Sequence, residues 1–434
     1  MIRSLLFIGL GNRFHLKTNK FKIRLKYRRN QIRRQLILAK YYLLGSSLII
    51  MILFQSLQNS NLVKISFHPQ YNYFDSNSLR KFIVATPFYE HNVYFQGNYS
   101  AIEKYLLDDG KIPGMSSVYF ISTALNHTNA TYVDFEYVYA GPYGGSANIS
   151  GKLVYSSLEN NLPRFGESGE VVAYYEDVIS VGSKWVIMYG HWICDALAPL
   201  LFLPQEIMNK SIFLLPVNSS IYREALEVFG FSSDRILFLE HNQWVFAHHF
   251  HTVYNPETVQ GCIHIGLKKL SNMMRKRFNT TNIVPTRYGF YNRPMGNRHF
   301  FNFFEFLEIA KFRFPEIRIF VLETLYPTFR ESVIAYASCL MYFGPTGSNF
   351  ANLVWMNPHT VCIVGFGNMH DDPVIANALI KNIWIVSFQV PGMYHHGSFT
   401  GTIDFPLAIK AINKGLFVLK NQRWPENNEI INDY

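Results

Sequence analysis

Between residues 288 and 390, short apolar runs alternate with segments of helical spacing, and few folds accept that pattern. Residues 288–291, 318–322, 340–343, 360–365 and 384–390 read as strands, with helices expected at 301–312, 328–337 and 349–356. Strands separated by helices predict a parallel α/β sheet, in which ligands bind at the carboxyl ends of the strands. One such end reads Gly344-Pro345-Thr346-Gly347-Ser348-Asn349, directly after the apolar run 339–343. A strand, a glycine turn and a helix start aim backbone N–H groups and a positive dipole end at one spot, a site suited to a phosphate. The same glycines would also serve a plain reversal of the chain.

The preceding half mixes short β-like runs (117–123, 132–139, 170–175, 184–188, 211–215 and 235–239) with helices expected at 192–203, 220–229 and 265–278. The residues after position 57 are too many for one ordinary core. Two domains are expected, 81–284 and 285–434, divided where the 265–278 helix ends and Pro285 follows, with 58–80 as a polar stem.

The first 40 residues hold twelve Lys/Arg and no acidic residue, and the apolar stretch 41–57 follows. Counted back over 36–39, with Lys40 snorkelling, this stretch reaches about 20 residues, enough to span a bilayer. The basic flank places the N-terminus in the cytosol. The distance from Met1 and the lack of a small-x-small cleavage site argue for an uncleaved signal-anchor. We expect a single-pass type II protein of the endoplasmic reticulum or Golgi membrane, with residues 1–40 as cytosolic tail, 41–57 as anchor and a lumenal body. The net charge of +10 is then a property of the tail, because the remainder carries 28 basic and 30 acidic side chains. The high pI therefore points to no nucleic-acid partner, and the tail suits anionic lipid.

Seven Asn-x-Ser/Thr glycosylation acceptors, Asn98, Asn126, Asn129, Asn148, Asn209, Asn218 and Asn279, all fall in the expected lumenal body. The four cysteines, Cys194, Cys262, Cys339 and Cys362, fit no zinc spacing. A lumen permits disulfides, with three pairings open, but Cys339 and Cys362 lie in apolar runs and read as buried thiols.

Three constellations carry chemistry. The first is Tyr189-Gly190-His191-Trp192-Ile193-Cys194-Asp195, ending at Pro199, where a strand over 184–188 is expected to lead into a helix. His191 and Asp195 stand four apart, so they share a helix face and could act as acid/base groups or hold a polar substrate. The second runs from Arg287 to Asn302, with Arg293 and Arg298 in a loop after a strand, where guanidinium groups match diphosphate oxygens. The third is the 344–352 segment itself. There Gly347 permits close approach, Ser348 or Asn349 could cap the helix, and Asn352 falls one turn in. Each has a plainer reading as a helix cap, a solvated loop or a turn. His248-His249-x-His251 and His370-Asp371-Asp372 contain metal-ligand types without a recognised spacing, so no metal is expected at either. His395-His396-Gly397 reads as an exposed loop, and the aromatic residues Phe301, Phe303, Phe304 and Phe306 as core packing.

In this order and spacing the three segments resemble glycosyltransferase family 61, which includes lumenal O-linked N-acetylglucosaminyltransferases and plant xylosyl- and arabinosyltransferases. The likeness rests on Gly190, His191, Trp192, Asp195 and Pro199, then Arg293, Arg298 and Asn302, then Gly344, Gly347, Ser348, Phe350 and Asn352. It departs at Thr346, where a histidine is usual, at Asn349, where a glycine is usual, and at Val364-Gly365, where an acidic residue is often found. The resemblance implies an α/β fold of GT-B type, two Rossmann-like domains with a cleft between them. It implies inverting transfer from a nucleotide-sugar, UDP-linked by expectation, to a protein or glycan acceptor, with no metal or other cofactor. Asp195, then His191, would be the base. Arg293, Arg298, Gly347, Ser348, Asn349 and Asn352 would hold the donor. The departures also admit an inactive relative that binds glycan or a partner enzyme, and a metal-dependent hydrolase built on His191, Asp195 and His370–Asp372 is a third reading.

Overall fold

The computed structural model describes residues 73–74, 89–94, 106–108, 129–143, 146–148, 153–155, 169–182, 184–240, 243–254, 266–295, 298–367, 372–394 and 400–425. The chain divides into two units, Met1–Pro69 and Gln70–Tyr434, and every described residue belongs to the second. The expected anchor at 41–57, the 117–123 strand, Asn98, Asn126, Cys262, His370, Asp371 and the 395–397 loop lie outside the described residues. Among the described residues no helix is long and apolar enough to cross a membrane.

The alternation over 288–390 builds a six-stranded sheet, parallel throughout. Its order is Ile319–Val321, Arg287–Phe290, Cys339–Pro345, Val361–Phe366, Trp384–Gln389 and Leu106–Asp108. The central strands Cys339–Pro345 and Val361–Phe366 are buried along almost their whole length, as a sheet covered on both faces requires. Phe343 sits at the middle of the packing, with ring centroids 4.9 Å from Phe290, 5.1 Å from Phe306 and 5.5 Å from Phe388. Phe303 and Phe306 enter this core as expected, but Phe304, on the helix Phe303–Arg313, and Phe301, just before it, are exposed. Cys339 and Cys362 are buried free thiols. Burial pushes the Cys339 thiol up to about 12 and raises Cys362 as well.

Helix ends are set locally. Thr328 Oγ1 accepts from Glu331 N–H and the Glu331 carboxylate accepts from Thr328 N–H, both at 3.1 Å, a closed capping box for the helix Phe329–Ala337. Asp404 caps the helix Phe405–Asn421 at Leu407 N–H, 3.0 Å. That helix lies on the sheet at Gly415, where a Cβ would come within 3.1 Å of Ile363 and Val361 side chains.

The other sheet has nine strands and is mixed, which the run of short β-like segments does not disclose. Asn129–Ala140 pairs antiparallel with Gln243–Tyr254, while Gly169–Ile179 lies parallel to Gln243–Tyr254 and to Ile212–Leu215. Tyr73–Phe74, inside the segment expected as a stem, pairs with Glu170 and Gly169 and so belongs to this sheet.

Two local expectations fail. Residues 184–188 do not form a strand: Lys184–Ile187 is a 3-10 turn, and the strand before it ends at Ile179. Gly182, at φ +97°, turns the chain. Trp185, Ile187 and Met188 are exposed and only Val186 is buried, so the apolar run has no sheet face to cover. Ser348–Trp355 is 3-10 rather than α-helical. The side-chain Nδ2 of Asn352 bonds back to Asn349, to its carbonyl at 3.1 Å and its Oδ1 at 2.8 Å, and 3-10 winding puts i and i+3 on one line.

Candidate active site

The three constellations meet. Gly347 follows the carboxyl end of Cys339–Pro345 with φ +137°. A Cβ there would lie 1.4 Å from Arg293 Nη1 and 3.2 Å from Arg298 Nη2. A side chain here would displace the Arg293 guanidinium from the turn and strain the backbone at this φ. Arg293 Nη1 donates to the Thr346 carbonyl at 3.2 Å. Arg298 itself has φ +51°, a conformation costly for a non-glycine residue and held by its surroundings.

The loop carrying the arginines is fixed from beneath. Asn292 Nδ2 donates to the Phe300 carbonyl at 3.0 Å, and its Oδ1 accepts from Phe300 N–H at 2.9 Å and Arg293 N–H at 3.0 Å. His299 Nδ1 bonds the Arg293 carbonyl. Asn302, expected at the helix start, is its N-cap, and its amide makes a two-way pair with the Ile403 backbone at 2.8 and 3.0 Å. It therefore anchors chain to chain.

The first constellation reaches the same turn through Gly190, which packs against Ser348. Residues 189–200 run as one helix, opening α-helical over Tyr189–His191, passing through a π-helical stretch at Trp192–Leu197, and closing α-helical at Ala198–Leu200. A π-stretch is uncommon in helices and frequent at functional sites. His191 Nδ1 lies 2.6 Å from Asp195 Oδ2. The Asp195 side chain is 1% exposed and that of His191 23%, so the histidine is the accessible member. Asp195 Oδ1 makes no hydrogen bond among the described residues. Trp192 is wholly buried against Tyr222, 4.5 Å between ring centroids, and is a core residue. Beside the pair stands the exposed Trp185, its ring centroid 6.2 Å from that of His191 and inclined by 29°. The Tyr222 hydroxyl donates to the Ile187 carbonyl at 3.2 Å and ties this apolar segment down.

Asn352 joins the first and third constellations. Its Oδ1 accepts from the Tyr189 hydroxyl at 2.7 Å, Ser332 Oγ at 3.0 Å and Trp355 Nε1 at 3.0 Å, while Nδ2 donates to Asn349. With that amide fully engaged and 1% exposed, Asn352 positions the site rather than touching a ligand. Burial raises the Tyr189 hydroxyl to about 12, so it stays a donor. Asn349 Nδ2 donates to the Tyr336 hydroxyl at 2.7 Å. The first bond within the 3-10 segment runs from Phe350 N–H to the Gly347 carbonyl at 2.9 Å, so the N–H groups of Ser348 and Asn349 precede the hydrogen-bonded turn. Ser348 is half-buried and accessible beside Arg293 and Arg298.

Ser332 and His299 escaped the sequence reading, while Tyr189 and Asn292 stood inside the first and second constellations without a role. His299 directly follows Arg298, and Ser332 carries no local signal. Of the glycosylation acceptors, Asn209, Asn218 and Asn279 are exposed, and Asn129 and Asn148 lie at strand ends.

The arrangement joins two guanidinium groups and a glycine turn to the helix that carries a histidine–carboxylate pair, tools for holding an anionic leaving group and accepting a proton. No curated protein matches the chain. Residues 189–363, which contain all three constellations, match the family described as Glycosyltransferase 61, and the chain carries the glycosyltransferase domain of that family.

Proposed function

We propose that the protein is an inverting, metal-independent transferase of GT-B type that moves a sugar from a UDP-linked donor to a protein or glycan acceptor. The observation that carries this is the contact of Gly347 with Arg293 and Arg298, on a turn whose Ser348 backbone packs against Gly190, the neighbour of His191. The guanidinium groups and the N–H groups of Ser348 and Asn349 take up the charge that develops on the departing diphosphate. The acceptor oxygen attacks the anomeric carbon from the face opposite the diphosphate, and its proton passes to the enzyme. Burial favours His191 Nε2 as the atom that takes it, with Asp195 behind holding Nδ1–H and stabilising the imidazolium. The expected order of the two is thereby reversed. The body works in the secretory lumen, anchored through 41–57 as a type II protein of the endoplasmic reticulum or Golgi, with the acceptor asparagines glycosylated.

The test is turnover by the full-length chain in detergent across a panel of UDP-sugars. Arg293→Ala is expected to lose turnover with an unchanged circular-dichroism spectrum. Absence of both binding and turnover with every donor refutes the proposal. A second reading, an inactive relative, draws on Asn349, which stands where relatives carry glycine and gives its amide to Tyr336. Calorimetric binding of a UDP-sugar without transfer to any acceptor selects that reading.

A further inference from the structure

Away from these residues, the pairing of Asn129–Ala140 with Gln243–Tyr254 has a flaw in it. Ala247 lies opposite Val138 and His249 opposite Glu136, but His248 and Tyr137 form no ladder pair, and Tyr137 has φ +52°. Side chains change face there: Val245 and Ala247 enter the same apolar cluster as Phe250, where strict alternation would send Phe250 to the other side. Such an irregularity re-aims side chains. His248 and His249 would otherwise point apart, yet their ring centroids stand 4.5 Å from each other.

One ligand atom from each of Glu136, His248 and His249 lies within 4.8 Å of the other two. Both imidazoles are held from behind by carboxylates. His248 Nδ1 is 2.7 Å from Glu176 Oε1, and His249 Nδ1 is 3.0 Å from Asp134 Oδ2. A ring that donates its Nδ1–H keeps its lone pair on Nε2, and a carboxylate behind a histidine is the usual support of a metal ligand. His251, the third histidine of the sequence cluster, is turned elsewhere. It is buried between Asp177, 2.9 Å from Nε2, and the Tyr132 hydroxyl, 2.9 Å from Nδ1. Glu136 takes its place.

We propose that Glu136, His248 and His249 bind one divalent zinc-type ion and so clip the two strands together. Two imidazoles and one carboxylate suit zinc rather than magnesium or calcium, which favour all-oxygen shells. The site shares no residue with the transferase constellations, so it stands or falls independently of them.

The test uses the full-length chain in detergent, stripped with chelator, dialysed and re-equilibrated with Zn2+ alone, with bound metal counted by plasma mass spectrometry. The expected result is one zinc per chain and a raised melting temperature. His248→Ala and His249→Ala each abolish the stoichiometric ion. Asp134→Asn and the surface change Glu176→Gln weaken binding about 10–100-fold, the usual effect of losing a supporting carboxylate. Glu176→Gln alters an exposed side chain, so it reports on the site even where a histidine variant fails to fold. Cobalt(II) in place of zinc is expected to show visible d–d absorption that His248→Ala removes. Substoichiometric zinc in the unaltered chain, or a stoichiometric ion that survives His248→Ala and Glu176→Gln undiminished, overturns the proposal.

Discussion

Gly190 lies flat against the backbone of Ser348: a Cβ on Gly190 would come within 3.0 Å of the Ser348 Cα and 3.1 Å of its carbonyl oxygen. The start of the His191 helix and the start of the 3-10 segment thus touch backbone to backbone, and their separation is set by the missing side chain. Gly190→Ala would favour the helix locally, by about 1 kcal/mol. It would also force the two segments apart by a few tenths of an ångström. We expect transfer to fall about tenfold or more with little change in melting temperature, since catalysis is sensitive to small misplacements. Equal losses in activity and stability would contradict this.

Gly347→Ala is the harsher change. It places a Cβ on Arg293 Nη1 and asks a non-glycine residue to hold φ +137°. Turnover should drop by about 10²–10³, the typical effect of removing one preorganised charge-stabilising group. Steady-state kinetics, with circular dichroism to confirm the fold, would check it.

Asp195→Asn keeps a partner for His191 Nδ1–H but removes the negative charge behind it. Rate should fall about 10²–10⁴-fold, as for loss of acid/base assistance. The pH dependence of turnover should change as well, because the charge that stabilises the imidazolium is gone. A profile of unchanged shape would argue against the pair as the proton acceptor.

Trp185→Ala removes an exposed ring beside His191. An aromatic face at that place suits the apolar side of an acceptor sugar or peptide. Acceptor KM should rise about tenfold, equivalent to ~1.4 kcal/mol, while hydrolysis of the donor alone stays the same. A rise in donor KM instead would assign the ring to the other substrate.

Lys381 is buried, with its Nζ on Ser271 Oγ at 2.8 Å. Burial, with smaller contributions from the charges of Arg275 and Lys268, lowers it to about 7. Between about pH 7 and 10.5 the unfolded chain therefore binds the proton that the folded chain does not, and stability rises with pH across that window. Below pH 7 the lysine is charged in both states and the burial penalty, on the order of a few kcal/mol, is fully present. Lys381→Met should raise the melting temperature at pH 7 and flatten its dependence on pH between 7 and 10. Thermal scans over that range would decide.

The six-stranded sheet was legible because buried parallel strands announce themselves as apolar runs, and 339–345 and 361–366 are such runs. Lys184–Ile187 misled for the same reason, since Trp185 and Ile187 are apolar but exposed beside His191 rather than covered by a sheet. His191 and Asp195 could be paired from a spacing of four. That Asp195 is the hidden member required the π-stretch and the packing around it. Ser332, 143 residues from Tyr189 along the chain, gave no local sign of its hydrogen bond to that residue's network. Glu136, His248 and His249 were concealed by the irregularity at Tyr137, because period-two alternation sends adjacent histidines to opposite faces.

Leu106–Asp108 lies beside Trp384–Gln389 at the rim of the six-stranded sheet, although every other strand there comes from beyond residue 286. A piece of the early chain thus shields an apolar edge, Trp384-Ile385-Val386-Ser387-Phe388, that would otherwise template pairing between molecules. Cutting the gene near residue 284 would separate a lid from the seam it seals. The two halves can be inherited, expressed or exchanged only together, and a recombinant fragment of the later half alone should be recovered as aggregate.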